Sequence, residues 1–107
     1  MDLGIDLGTS SVKLLLVDDA QQAVDEQSAP LEVSRPHPGW SEQDPEAWWR
    51  ATDDAARALR ARRPAEMGRV RAIGLAGQMH GATLLDTRDR VLRPAILWND
   101  GRSAPQC

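Results

Sequence analysis

The sequence predicts an α/β domain: a mixed sheet that starts with a β-hairpin and carries a flanking helix. Three observations support this. Two short apolar runs before residue 18 are separated by a Gly/Thr/Ser turn, one well-capped helical pattern starts at Pro45, and extended apolar segments return after residue 69.

Asp2 to Asp6 reads as a strand, with Leu3 and Ile5 alternating against Gly4 and Asp6. Gly8, Thr9, Ser10 and Ser11 form a turn, and Val12 to Val17 is apolar apart from Lys13. Two strands this close in sequence should pair antiparallel. After a turn at Asp18 to Gln22, Ala23 to Val33 supplies a third strand, weakened by Pro30. Ser34 to Ser41 holds Pro36, Pro38 and Gly39 and is a loop. The helix then has Asp44 as N-cap, Pro45 at its first position and Glu46 in its first turn. Trp48, Thr52, Ala55 and Leu59 share one face, and Pro64 stops the helix. Val70 to Ala76 is the next strand, Gly77 to Gly81 a polar interruption, and Ala82 to Leu85 is extended. A turn at Asp86 to Arg90 precedes a last strand, Val91 to Trp98, broken by Pro94.

The chain has 107 residues, 41% hydrophobic and 27% charged, which fits a small globular domain and not a disordered segment. A net charge of −3 with both signs interspersed offers no basic patch for nucleic acid. No apolar run approaches the roughly 20 residues that cross a bilayer. The single cysteine, Cys107, has no internal partner, which fits a reducing, cytoplasmic setting. The apolar segment Ile96 to Trp98 runs into polar residues with no closing helix after it. That ending reads as a domain cut short, with an exposed sheet edge that favours self-association or poor solubility.

Gly4 to Lys13 carries the strongest chemistry. Gly8 permits a tight turn and close approach of a ligand to backbone. Thr9, Ser10 and Ser11 set hydroxyls beside successive N–H groups, the makings of an anion-binding concavity, and Lys13 adds a positive charge. Asp6 brings a carboxylate to the same place, which suits phosphates when Mg²⁺ lies between, bound through water. The plainer alternative is a hairpin turn with an acidic strand end. The segment is no Walker A loop, since Gly-x-x-x-x-Gly-Lys-Ser/Thr is missing. A second constellation lies at Gly77-Gln78-Met79-His80-Gly81. Gln78 and His80 offer hydrogen bonds to a polyol, while Met79 and Trp98 offer apolar surface. On spacing alone, structural roles for His80 and Trp98 stay equally open.

Asp6-Leu7-Gly8-Thr9-Ser10 in an N-terminal hairpin resembles the first phosphate motif of the actin-like ATPase superfamily, whose domains have a ribonuclease H-like fold. With Ser34 to Pro45, Gly77 to Gly81 and Ile96 to Arg102, the whole chain resembles the FGGY carbohydrate kinase family, its D-xylulose-phosphorylating members above all. The resemblance implies that residues 1–107 are the N-terminal portion of kinase domain I, with the second, adenosine-binding domain and the catalytic base elsewhere. It implies ATP and Mg²⁺ as cofactors and D-xylulose as acceptor. Asp6 would organise Mg²⁺ and phosphates; Gly8, Thr9, Ser10, Ser11 and Lys13 would lie near ATP phosphates; Met79 and His80 would contact the ketopentose. Trp98, Asn99, Asp100 and Arg102 would lie beside the sugar cleft. A homodimeric parent is compatible, with neither nucleic acid nor membrane as partner. Kinases for ribulose, gluconate or glycerol, and a non-catalytic actin-like binding module, are the competing readings. His37 is expected to be solvent-exposed, Trp40, Trp48 and Trp49 to be packing residues, and the arginines between Arg60 and Arg71 to be solvated.

Overall fold

The expected hairpin forms from β1 (Asp2–Leu7) and β2 (Ser11–Val17), paired antiparallel with Asp6 opposite Lys13. The computed structural model describes residues 1–107. Gly8 donates its N–H to Ser11 O at 3.0 Å, and a Cβ at Gly8 would come within 3.1 Å of that oxygen. The tightness of the turn therefore selects glycine. β3 (Ala23–Pro30) pairs antiparallel with β2. It ends at Pro30, short of the expected Val33, with one further backbone bond from the Leu31 N–H to Ser10 O at 2.9 Å.

Helix α1 (Pro45–Arg62) begins as the sequence indicates: the Asp44 carboxylate accepts from the Glu46 N–H at 3.0 Å. Pro64 ends α1 and opens a one-turn helix, α2 (Pro64–Met67). The chain then returns as β5 (Ala72–Gly77), parallel to β1, giving the sheet order β3-β2-β1-β5. Strand alternation sends Leu3, Val12, Leu14, Leu16 and Ala29 to one side, where they are buried with Ala51, Ala55 and Leu59 of α1. Each fully buried leucine there contributes roughly 2 kcal/mol relative to an exposed one.

Several features depart from the sequence reading. Glu42–Gln43, between the expected loop and the helix, form a short strand, β4, paired antiparallel with β6 (Ala95–Ile96). Val91 to Trp98 is not one strand, because Pro94 restricts the pairing to those two residues plus isolated bridges at Ala82–Ile96 and Leu85–Val91. Trp48 is half-buried against the core, but Trp49 is 68% exposed. Neighbours on a helix project about 100° apart, so only one of the pair can face the sheet. Arg62 and Arg63 are not merely solvated: both bind Asp25 on β3. Arg71 lies within 3.6 Å of Asp2 and 3.5 Å of Asp19. His37 is exposed as expected and meets Trp40 edge-on, with ring centroids 4.4 Å apart.

Candidate active site

Because β5 runs parallel to β1, their C-terminal ends lie side by side. The Gly8–Ser10 turn and the Gln78–Gly81 loop thus share one end of the sheet, where open α/β folds place ligands. The Gln78 N–H extends the ladder by one bond, donating to Leu7 O at 2.9 Å. The N–H groups of Thr9 and Ser10 find no partner within the chain, which leaves two adjacent donors for an anion.

The turn and the loop are joined by side chains. The Thr9 hydroxyl donates to Gln78 Oε1 at 3.2 Å and accepts from Trp98 Nε1 at 3.0 Å. Gln78 Nε2 donates to Gly8 O at 3.4 Å and to Gln43 Oε1 at 3.2 Å. Gln43 Nε2 donates to Thr9 O, and Trp48 Nε1 donates to Gln43 Oε1 at 2.8 Å. Met79 is 68% exposed beside this knot. His80 is also exposed and adopts φ 56°, a left-handed conformation that costs a non-glycine residue energy and clusters at functional sites.

On the sheet face away from α1, Gly4, Asp6, Lys13, Leu15, Gly74 and Ala76 line a trough of about 440 Å³. The missing side chains of Gly4 and Gly74 help to open it. Lys13 pairs with Glu26 at 3.1 Å, leaving the exposed Asp6 carboxylate without a partner in the chain. One free carboxylate beside unpaired N–H donors fits Mg²⁺, which keeps most of its water shell and takes one or two protein carboxylates. No group of three or more His, Cys, Asp or Glu is placed to cage a metal outright. Ser11 closes the turn through its carbonyl, and Ser10 is exposed at the tip.

The Trp98-Asn99-Asp100-x-Arg102 segment divides by role. Trp98 is 55% exposed and Asn99 is exposed. Asp100 and Arg102 instead turn inward. Arg102 grips Asp100 through Nε and one terminal nitrogen, reaches Glu42 Oε1 at 2.7 Å, and stacks 3.8 Å from the Trp40 ring centroid. Asp100 also accepts from the Ser41 N–H at 2.7 Å. Hydrogen bonding from Arg102 holds the Asp100 carboxyl well below the usual carboxylate range, against an opposing effect of burial; the Ser41 and Arg102 N–H groups add to the lowering. In return Asp100, and after it Glu42, raise Arg102 above its ordinary value. Arg93 binds the same Glu42 oxygen at 2.7 Å.

Glu42 and Gln43 were not singled out from the sequence. Both are buried, and from β4 they reach the polar ends of the site: Glu42 holds the 93–102 segment and Gln43 holds the Gly8–Ser10 turn. Their polarity gave no sign of burial. The one available hint was their position immediately before a strong helix N-cap.

Residues 1–107 match, over their full length, the N-terminal domain of the FGGY family of carbohydrate kinases. The chain belongs to that family. It is 60% identical over 107 residues to a xylulose kinase of Escherichia coli strain K12, covering all of this chain and 22% of that one. Among solved structures, a xyloylose kinase from Brucella ovis superimposes with a TM-score of 0.97 at 61% identity, over 98% of this chain and 22% of the other. A gluconate kinase from Lactobacillus acidophilus gives a TM-score of 0.89 at 27% identity, over 97% and 20%. The FGGY chain described here thus spans about a fifth of the length of the relatives it matches. The mixed sheet, hairpin start and flanking helix are those expected for this family, while proteins of differing names share the fold. No helix is long and apolar enough to cross a membrane.

Proposed function

We propose that these residues form the N-terminal portion of kinase domain I in a longer, cytoplasmic enzyme of xylose metabolism. That enzyme transfers the γ-phosphoryl group of ATP to the position-5 hydroxyl of D-xylulose. The observation that carries this reading is the meeting of two half-sites at one sheet end. Unpaired N–H groups at Thr9 and Ser10 stand beside a loop that presents Met79 and a strained His80. Identity of 60% to a xylulose kinase supports the choice of sugar.

Phosphoryl transfer is mainly positioning and charge stabilisation. The Thr9 and Ser10 N–H groups would bind phosphate oxygens at the turn. Mg²⁺, held through water at Asp6, would supply charge neutralisation. Lys13 is within the same face but engaged with Glu26, so its part is to tune the field near the turn. Met79 would lie against the apolar face of the sugar and His80 would bind a hydroxyl, with Trp98 and Asn99 beside them. Asp100 and Arg102 would act by holding that segment in place. The group that takes the hydroxyl proton is expected outside residues 1–107, as is the adenosine site. A homodimer suits the parent.

The test is sugar-dependent ADP release by the protein at its relatives' full length, with xylulose, ribulose, gluconate and glycerol offered in turn. Xylulose should give the highest kcat/KM; preference for another acceptor overturns the choice of sugar, and no turnover with any of them overturns the kinase reading. His80→Ala should raise the sugar KM about tenfold or more, the loss expected when a substrate hydrogen bond is left unmade, with little change in the ATP KM. Equal effects on the two would make His80 structural.

A further inference from the structure

The Gly8–Ser10 turn offers free N–H groups at Thr9 and Ser10, while its backbone bonds, Gly8 N–H to Ser11 O and Leu31 N–H to Ser10 O, leave the Gly8 and Thr9 carbonyls to side chains. A peptide unit is planar, so its carbonyl and its N–H point in opposite directions. The carbonyl of Thr9 and the N–H of Ser10 belong to one such plane, and the carbonyl of Gly8 and the N–H of Thr9 to the next. Gln43 Nε2 donates to the first carbonyl and Gln78 Nε2 to the second. Gln43 Oε1 in turn accepts from Gln78 Nε2 at 3.2 Å and from Trp48 Nε1 at 2.8 Å.

The amide orientation is fixed. Reversing Gln43 would set its oxygen against Thr9 O and its NH₂ against the N–H groups of Trp48 and Gln78, replacing three hydrogen bonds with three repulsions. Gln43 is 1% exposed and sits on β4, next to Glu42, which anchors the 93–102 segment. It is the buried amide that bonds both the phosphate turn and Gln78, whose next residues are Met79 and His80.

We infer that Gln43 is a positioning residue: it aims the Ser10 N–H and locks the phosphate turn to the acceptor loop, so that the two half-sites act as one unit. This rests on the kinase reading above. It predicts that each substrate's affinity depends on occupancy by the other, and that the dependence runs through Gln43.

The experiment compares three variants in the full-length protein. Gln43→Met keeps length and apolar packing but removes every bond. Gln43→Glu keeps both accepted bonds and loses the donor to Thr9. Ala55→Gly, on the buried face of α1 and outside the cavity that Gln43 lines, lowers stability away from the site. Gln43→Met should raise the ATP KM about tenfold and abolish the mutual dependence of ATP and sugar binding, a size typical of coupling between sites. Gln43→Glu should raise the ATP KM while leaving the sugar KM within about twofold, since an oxygen that repels the Thr9 carbonyl replaces the donor, while the bonds accepted from Gln78 and Trp48 remain. Amide exchange in Gln43→Met should quicken at Gly8 and Gln78 together, the two N–H groups that are hydrogen-bonded in these loops. The idea is overturned if Gln43→Met and Ala55→Gly show the same kinetic pattern, or if exchange at the two loops is unaltered. Should Gln43→Met fail to fold, the split between the two KM values in Gln43→Glu decides. A wild-type protein inert with every sugar sinks the kinase reading separately, and the exchange comparison still decides whether Gln43 locks the turn to the loop.

Discussion

The strands beneath α1 and the strand at the far edge are held by different forces. Under the helix, Val12, Leu14, Leu16 and Leu59 are fully buried, and apolar burial holds β1, β2 and β3 against α1. At the other edge, every residue of β5 is exposed, with Ile73 at 59% and Leu75 at 79% although both lie on the helix-facing side. There the backbone ladder to β1 and a few polar side chains, Gln43, Gln78 and Glu42, fix the geometry. The lesson is one of division of labour. The apolar half sets the scaffold, while the half that bears the candidate site is assembled by directional bonds, which specify geometry more sharply than they stabilise.

The largest effect should come from breaking the first half. Leu14→Ala is expected to cost about 2–5 kcal/mol in a denaturant melt, whereas Leu75→Ala should stay within about 0.5 kcal/mol. Comparable losses at the two positions would erase the contrast. Next in size, Glu42→Ala leaves Arg93 without its ion-pair partner and Arg102 with Asp100 alone. It should lower the melting temperature and speed exchange across residues 93–102, with β1 to β3 spared; uniform loosening would mean that Glu42 serves the scaffold as well.

A smaller effect concerns acid. Hydrogen bonding from Arg62, then the Glu26 N–H, then Arg63, brings the Asp25 carboxyl down to about 2. A carboxyl depressed on folding contributes stability above its unfolded value of about 3.9, and that contribution fades as pH falls toward its folded value. Asp25→Asn should therefore lower stability at neutral pH and flatten its decline between about pH 4 and pH 2. An unchanged acid limb would show that the tie between α1 and β3 is electrostatically idle. Smallest of all, Trp49→Gln should leave stability within about 0.5 kcal/mol, since its ring lies largely in solvent. A larger loss would restore Trp49 to the packing role its composition implied.

Much of this was legible along the chain. The hairpin, the Asp44 cap with Pro45, and the stop at Pro64 depend on local backbone chemistry, so they were readable from neighbouring residues. Asp6, Gly8 and the hydroxyl run stood out as a candidate phosphate turn because glycine and hydrogen-bond donors are contiguous there. By contrast, Asp100 and Arg102 read as groups facing a cleft, and in the fold they spend their bonds on each other, Ser41 and Glu42. Nothing local distinguishes a polar residue that faces water from one that faces a buried partner.

The sequence by itself determined an α/β hairpin-and-helix scaffold with a tight turn at Gly8, because those features follow from periodicity, capping and turn chemistry over short stretches. Tertiary structure alone decided how that turn is aimed. Its Thr9 and Gly8 carbonyls are held by Gln43 and Gln78, 34 and 70 residues further along, and such long-range hydrogen bonds exist only once parallel pairing has set β1 beside β5.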